Sequence, residues 1–152
     1  MLPKYHIFFG FLLSFALFLF LPNITLIEVG IVFLSSFLID VDHYFYYVFN
    51  RKNVNPKKAV NYFFDKRKKA NKMNLKERNK FYSCFCFLHG AEVLIILFIS
   101  GIFISKYFLL ICIGFMFHLF LDLLEEIYYG LRLDKVSLIY DWFKFKKLKK
   151  LE

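Results

Sequence analysis

No lysine or arginine falls within residues 5–49, 81–105 or 107–129 of this 152-residue chain, although the whole carries 21 of them. Seven of its 12 acids do fall there (Glu28, Asp40, Asp42, Glu92, Asp122, Glu125 and Glu126), and so do all four histidines. A soluble domain spreads both signs of charge over its surface. It also holds roughly 45–50% apolar residues, against 59% hydrophobic here. The pattern excludes a soluble globular domain, a disordered chain and a nucleic-acid module with dispersed basic charge. It describes an integral membrane protein whose apolar segments carry acids and imidazoles.

A helix needs about 20 apolar residues to cross a bilayer. Four segments qualify, at about 5–21, 24–49, 81–105 and 107–129. None alternates at period two, as the strands of a membrane barrel do. The expected fold is all-α: an integral membrane four-helix bundle over 1–130, followed by an amphipathic basic tail over 131–152. The first segment has a length that would suit a signal peptide, but only Lys4 precedes it and no small-residue cleavage site follows Leu21. It reads as a retained span. Cys84, Cys86 and Cys112 make an odd count with no Cys-x-x-Cys pair, and read as small packing residues without chemistry. Asn23-Ile-Thr25 matches a glycosylation sequon but lies in a tight turn against the membrane, where chance explains it.

The basic residues set the orientation. Residues 51–80 hold 12 Lys and Arg against Asp65 and Glu77, and seven more follow Gly130. The two other connections are nearly bare. The positive-inside rule then puts both termini and the long basic segment on the cytoplasmic side of a cell (inner or plasma) membrane. That segment reads as polar and partly helical, touching anionic lipid head groups; nucleic acid is the less favoured partner. In the tail, Leu138, Trp142, Phe145, Leu148 and Leu151 recur at helical spacing with Lys144, Lys146, Lys147, Lys149 and Lys150 between them. That is an interfacial amphipathic helix lying on the leaflet.

A carboxylate at the centre of a span costs roughly 2.5–3.5 kcal/mol on insertion scales, so such residues face the bundle interior and serve a function. Four groups stand out: His6; Asp40-Val41-Asp42-His43; His89 with Glu92; and His118 with Asp122, followed by Glu125 and Glu126. Residues three or four apart share a helix face. Along straight helices, Asp42 and His89 lie about 12 Å from the cytoplasmic surface, Asp122 about 10 Å, His118 about 16 Å and His6 a few Å. Four helices entered from alternating directions thus bring their polar groups to one layer that lacks any basic residue. A divalent cation is the natural counter-charge. Imidazole with carboxylate suits zinc first, with manganese and iron as alternatives.

These residues resemble the LexA-regulated, YdjM-like family of inner-membrane metal-dependent hydrolases. The shared motifs are His6 opening the first span, Asp40-Val-Asp42-His43, His89 opening a later span, and Gly114-Phe-Met-Phe-His118-Leu-Phe-Leu-Asp122. They run in order over nearly the whole chain up to the tail. The chain departs from the family at Ile39, where proline is usual. It departs again at His89-Gly-Ala-Glu92, where a two-histidine motif is usual, which implies a site with fewer ligands.

The leading expectation is a metal-dependent hydrolase working near the cytoplasmic face on a small molecule or a lipid, such as a phosphoester or head group. His6, Asp40, Asp42, His43, His89, His118 and Asp122 are the expected metal ligands, with His6 outermost. Glu92 is the expected general base or outer-shell acid and Asp42 a further catalytic carboxylate. Three alternatives stand beside it: a haem protein ligated by His89 and His118, a non-catalytic cation carrier or proton relay, and a purely structural bundle. The surrounding acids, and the lack of Lys or Arg for propionates, count against haem.

Overall fold

The computed structural model describes residues 3–82, 84–130, 133, 134 and 136–150 and is mostly helical, with almost no strand. Helix α1 (Pro3–Phe20) opens on a proline, whose missing N–H costs nothing in a first turn. After a short turn, Thr25 caps α2 (Leu26–Leu38). Its hydroxyl accepts from Glu28 N at 3.3 Å while Glu28 Oε2 accepts from Thr25 N at 2.8 Å, a reciprocal capping box. Glu28 also holds Lys106 Nζ at 2.6 Å, pinning the start of α2 to the start of α7 (Lys106–Tyr128). The Thr of the sequon-like triplet is thus a helix cap.

The expected second span is not one helix. The chain leaves α2 at Leu38, makes a tight turn through Ile39–Asp40, and resumes as α3 (Val41–Arg51). In the turn the bonds run to the third residue back: Asp40 N to Phe37 O at 3.3 Å, Asp42 N to Ile39 O at 3.4 Å and His43 N to Asp40 O at 3.1 Å. Two serines loosen the helix just before it. Ser35 Oγ donates to Val32 O at 3.0 Å and Ser36 Oγ to Phe33 O at 2.7 Å, back-bonding that competes with the helical ladder.

The expected third span also differs. Residues 81–82 form a short strand, β1 (Phe81–Tyr82), parallel to β2 (Lys149–Lys150). Residues 84–90 are irregular, and only then does α6 (Ala91–Phe103) begin. Tertiary partners take the backbone groups a helix would have used: Asp42 Oδ2 accepts from Leu88 N at 3.1 Å, and Val136 O accepts from Ala91 N at 3.0 Å. At 13 residues, α6 is about 20 Å long, short of a roughly 30 Å hydrocarbon core. Among the described residues, α1 and α7 are the two helices long and apolar enough to cross a membrane.

The basic segment folds as α4 (Pro56–Lys72), capped by Asn55, and the single turn α5 (Leu75–Arg78). α4 packs against α3 through aromatic contacts, Tyr62 with Tyr47 and Phe63 with His43. Arg67 reaches Glu125 Oε1 at 2.6 Å, tying α4 to the end of α7. Gly130, at φ 60°, turns the chain out of α7. The tail forms α8 (Leu138–Lys147). Its stripe packs on the protein: Phe145 touches Tyr46, Tyr82 and Phe85, and Trp142 touches Phe85. Lys144, expected on the polar side, is buried and held by Asp134 and Asp141 at 3.0 Å each. Leu151 lies outside the described residues.

In the bundle α2 packs on α7, with α1 against α2 and α6 against α7. Close approach rests on glycine. A Cβ at Gly10 of α1 would strike Ser36 Oγ, and one at Gly114 of α7 would strike Ser35 Oγ and come within 2.8 Å of Val32 O. Small residues at such crossings let helix backbones approach closely in membranes.

Candidate metal centre

The turn at Ile39–Asp40 creates one half of the site. Because Asp40 N bonds to Phe37 O, the Ser36 carbonyl is released from the helical ladder. His118, four residues along α7 from Gly114, places Nδ1 2.8 Å from that carbonyl. A carbonyl only accepts, so Nδ1 carries the proton and Nε2 presents a lone pair. His89 is fixed in the same sense from the irregular segment. Its Nδ1 lies 2.8 Å from Asp42 Oδ2, which makes Nδ1 the protonated nitrogen and leaves Nε2 as the acceptor.

The two Nε2 atoms face each other at 3.2 Å. Two lone pairs at that separation repel unless a proton or a cation lies between them. Two carboxylates close on the same gap. Asp40 Oδ1 stands 3.6 Å from His89 Nε2 and 3.5 Å from His118 Nε2. Asp122 Oδ2 stands 3.8 and 3.6 Å from the same two atoms. For metal–ligand bonds of 2.0–2.2 Å, the edges of a tetrahedron of donors are about 3.3–3.6 Å. Five of the six edges among these four atoms therefore have lengths close to those of a tetrahedral site. His89, His118 and Asp122 are buried, whereas the Asp40 side chain keeps 23% of its surface exposed and marks the open side.

His6 forms a lid on this cluster. Its ring stacks on that of His118 with centroids 3.7 Å apart, and its Nε2 lies 3.2 Å from Asp122 Oδ1. His6 Nδ1 is buried with no hydrogen-bond partner among the described residues. Asp42 is fully buried and serves three donors. Its Oδ1 lies 2.8 Å from His43 Nδ1, and its Oδ2 takes both His89 Nδ1 and Leu88 N. A carboxylate behind a ligating imidazole is the usual outer partner of a metal site, fixing ring orientation and tautomer.

Of the residues expected from sequence, Asp40 and Asp122 each close on the paired His89 and His118 nitrogens, His6 groups with His118 and Asp122 as a potential ligand, Asp42 stands behind His89, and His43 sits beside Asp42. The common layer therefore exists, but it is assembled by a helix break and an irregular segment rather than by four straight helices. Glu92 is not brought to it. Its carboxylate accepts from Ser137 Oγ at 2.6 Å and Leu138 N at 2.8 Å, capping α8. Glu125 is taken by Arg67, and Glu126 Oε2 accepts from Asp134 N at 2.9 Å. Cys86 was missed: its sulfur lies 3.6 Å from His43 Nε2, and it groups with Asp42, His43 and His89 as potential ligands. The spacing Cys84-x-Cys86-x-x-His89 was its only signal, hidden by reading the segment as helix. The gap between His89 and His118 is filled by carboxylate oxygens, which leaves no face for a porphyrin.

No family model matches the chain, and comparison with curated proteins and with solved structures finds no match. The site's own chemistry therefore carries the functional reading.

Proposed function

We propose that this protein is a membrane-embedded, metal-dependent hydrolase in which His89, His118 and Asp122 hold a divalent ion and Asp40 occupies the exchangeable, solvent-facing position. The observation that carries this reading is that the Asp40 and Asp122 carboxylates each lie 3.5–3.8 Å from both Nε2 atoms of His89 and His118, with the two imidazoles turned lone pair to lone pair 3.2 Å apart. The donor set fits zinc first, and manganese or iron next. The motif resemblance to inner-membrane metal-dependent hydrolases points to the same class of chemistry.

Bound in such a site, a divalent ion lowers the pKa of water from 15.7 to about 7 and polarises a carbonyl or phosphoryl oxygen. The chain's own residues supply the rest. Asp42 and the Ser36 carbonyl hold the two imidazoles in their ligating tautomers. His6 braces Asp122 and covers the His118 ring, excluding water from the inner side. Asp40 faces the only partly exposed edge of the four-donor cluster, where a substrate would enter and a proton could be taken up by its carboxylate. Exposed Phe8, Phe11, Phe15 and Phe18 on α1, and Ile95, Ile96 and Ile102 on α6, suit a lipid surround. An amphiphilic ester or phosphoester fits that placement.

A second reading keeps all four donors bound. Catalytic zinc sites have three protein ligands and an open position, whereas structural sites are closed with four. A permanently ligated Asp40 would make this a non-catalytic metal-binding or cation-relay protein. Asp40→Ala separates the two. The hydrolase reading expects detergent-purified protein to contain a metal by elemental analysis and to cleave phosphodiester or carboxylester nitrophenyl probes. Asp40→Ala is expected to keep the metal and lose turnover, and His118→Ala to lose both. Metal without turnover in the wild type favours the second reading; no metal in the wild type overturns both.

A further inference from the structure

Arg51 ends α3, and a fixed corner sets it against α4. Tyr44 Oη donates to Val54 O at 2.6 Å, Asn53 Oδ1 accepts from Asn55 N at 2.9 Å, and Asn55 Oδ1 caps α4 by accepting from Lys58 N at 3.2 Å. Along α4, Tyr62, Asp65, Lys66, Lys69 and Lys72 recur every three or four residues and so share a face. Between that face and Arg51 lies an open cavity of about 370 Å³, to which Lys68 also contributes. A neighbouring hollow of about 410 Å³ shares Arg51, Tyr62 and Asp65 and adds Asn53, Lys58 and Asn61. We propose that the first cavity is a one-to-one binding site for the phosphomonoester head group of an anionic lipid.

Tyr62 is what makes this more than a solvated basic face. Its ring stands 5.0 Å from Arg51 Cζ and 4.6 Å from Lys66 Nζ, and it packs on Tyr47 at 5.4 Å between centroids. Lys66 is buried, with its ammonium also 5.4 Å from the Tyr46 ring. Two cations are thus held over one aromatic ring, in place before any ligand arrives, so less side-chain freedom is lost on binding. Arg67, the next residue along, turns away and serves Glu125 instead.

The charge balance names the ligand. Five cations (Arg51, Lys66, Lys68, Lys69 and Lys72) line the cavity against one carboxylate, Asp65. Like charges three and four apart on a helix repel, and a cleft lined by one sign of charge concentrates counter-ions of the other. A phosphomonoester carries about −1.5 to −2 at neutral pH, and the Arg51 guanidinium can meet two of its oxygens at once. Position favours a lipid over a soluble phosphate. Arg67 ties α4 to the end of α7, one of the two helices long and apolar enough to cross a membrane. That puts the cavity at the level where a bilayer crossed by α7 has its head groups. Phe49 and Val54, on either side of Arg51 in the chain, are exposed and suit the apolar boundary beside them.

The test uses the full chain in a neutral detergent with a metal chelator, so that no ion at the His/Asp centre can hold the head group. Native mass spectrometry then counts bound dioleoyl phosphatidic acid, with dioleoyl phosphatidylglycerol and inorganic pyrophosphate as competitors. The wild type is expected to take up one phosphatidic acid, about fivefold tighter than the singly charged phosphatidylglycerol. Lys69→Gln with Lys72→Gln is expected to weaken it more than about tenfold. Lys76→Gln with Lys80→Gln removes the same charge from the same basic segment outside the cavity and is expected to change it less than about twofold. Tyr62→Leu keeps every charge but releases Arg51 and Lys66, and is expected to cost about fivefold; if that variant fails to fold, the two lysine pairs still decide. Asp122→Asn is expected to leave lipid uptake unchanged, so failure here and failure of the hydrolase reading are separate results. Equal weakening by both lysine pairs, no preference over phosphatidylglycerol, or pyrophosphate held more tightly than phosphatidic acid would overturn the proposal.

Discussion

Asp42 illustrates how one side chain organises a site it need not enter. Both of its oxygens are used, on His43 Nδ1, His89 Nδ1 and Leu88 N, and it is fully buried. Asparagine would put an NH2 donor where one of the two oxygens now accepts, against the N–H of one ring. Asp42→Asn is therefore expected to lower metal affinity at the His/Asp centre about 10- to 100-fold, read by competition with a chromophoric chelator. His6→Ala removes the ring stacked on His118 and its contact with Asp122 Oδ1 but leaves both tautomers fixed, and is expected to cost less. At this scale the ligands themselves were legible, because acids and imidazoles in segments without any lysine or arginine demand a counter-charge. Their division of labour was not. Asp40-Val-Asp42-His43 reads as three equivalent ligands until the turn at Ile39–Asp40 is known, since that turn sends Asp40 to the cluster and Asp42 behind it. Glu92 was read as a base from its helical spacing to His89; with residues 84–90 irregular, that spacing has no meaning, and the carboxylate serves the start of α8 instead.

Elements meet here through small residues, and two glycines give contrasting expectations. A Cβ at Gly10 clashes with the Ser36 side chain and makes an ordinary contact with Phe33, whereas one at Gly114 also meets the Val32 backbone carbonyl at 2.8 Å. Overpacking of this kind costs about 1–3 kcal/mol. Gly10→Ala is expected to destabilise the bundle within that range and to be largely rescued by Ser36→Ala. Gly114→Ala is expected to cost more and to resist rescue by Ser35→Ala, because the carbonyl cannot be removed. Unfolding in detergent with added denaturant would measure both. A different junction is governed by Glu92, whose loss removes the acceptor of the Ser137 hydroxyl and of Leu138 N at the start of α8. Glu92→Ala is expected to weaken the docking of α8 by about 1 kcal/mol, in line with lost caps, and to speed hydrogen exchange at Leu138 and Ile139 without changing metal content. Helix type was legible along most of the chain from unbroken apolar runs. The interruptions were not, because the partners that hold residues 81–82 and 84–90 out of a helix (β2, Val136 and Asp42) lie far away in sequence.

Among the described residues, the bundle buries a set of polar groups and exposes many apolar ones. His6, Ser14, Ser36, Asp42, His89, His118 and Asp122 are buried, while phenylalanines and isoleucines of α1, α6 and α7 are exposed. That distribution fits a lipid surround, where apolar side chains have no reason to hide and polar ones do. The cluster and the basic segment share one end of the bundle, since His6 at the start of α1 meets Asp122 late in α7 and Arg67 meets Glu125. The site also draws on four separate stretches of chain: α1, the α2–α3 turn, the irregular segment and α7. A cation held there ties all four together in the folded state and has no equivalent site in the unfolded one. At 100 times its Kd such an ion adds about 2.7 kcal/mol of stability, and for a chain of this size each kcal/mol moves Tm by roughly 2–4 °C. Metal-loaded protein is therefore expected to melt about 5–10 °C above the chelated form. Asp122→Asn should melt at the same temperature with and without chelator, because it removes the acid that joins α7 both to the cluster and to His6. A chelator effect of equal size in that variant would place the ion elsewhere. Paired with melting of Cys86→Ala, which should keep the full shift for a manganese-loaded sample, the measurement assigns the stabilisation to the four-donor cluster alone.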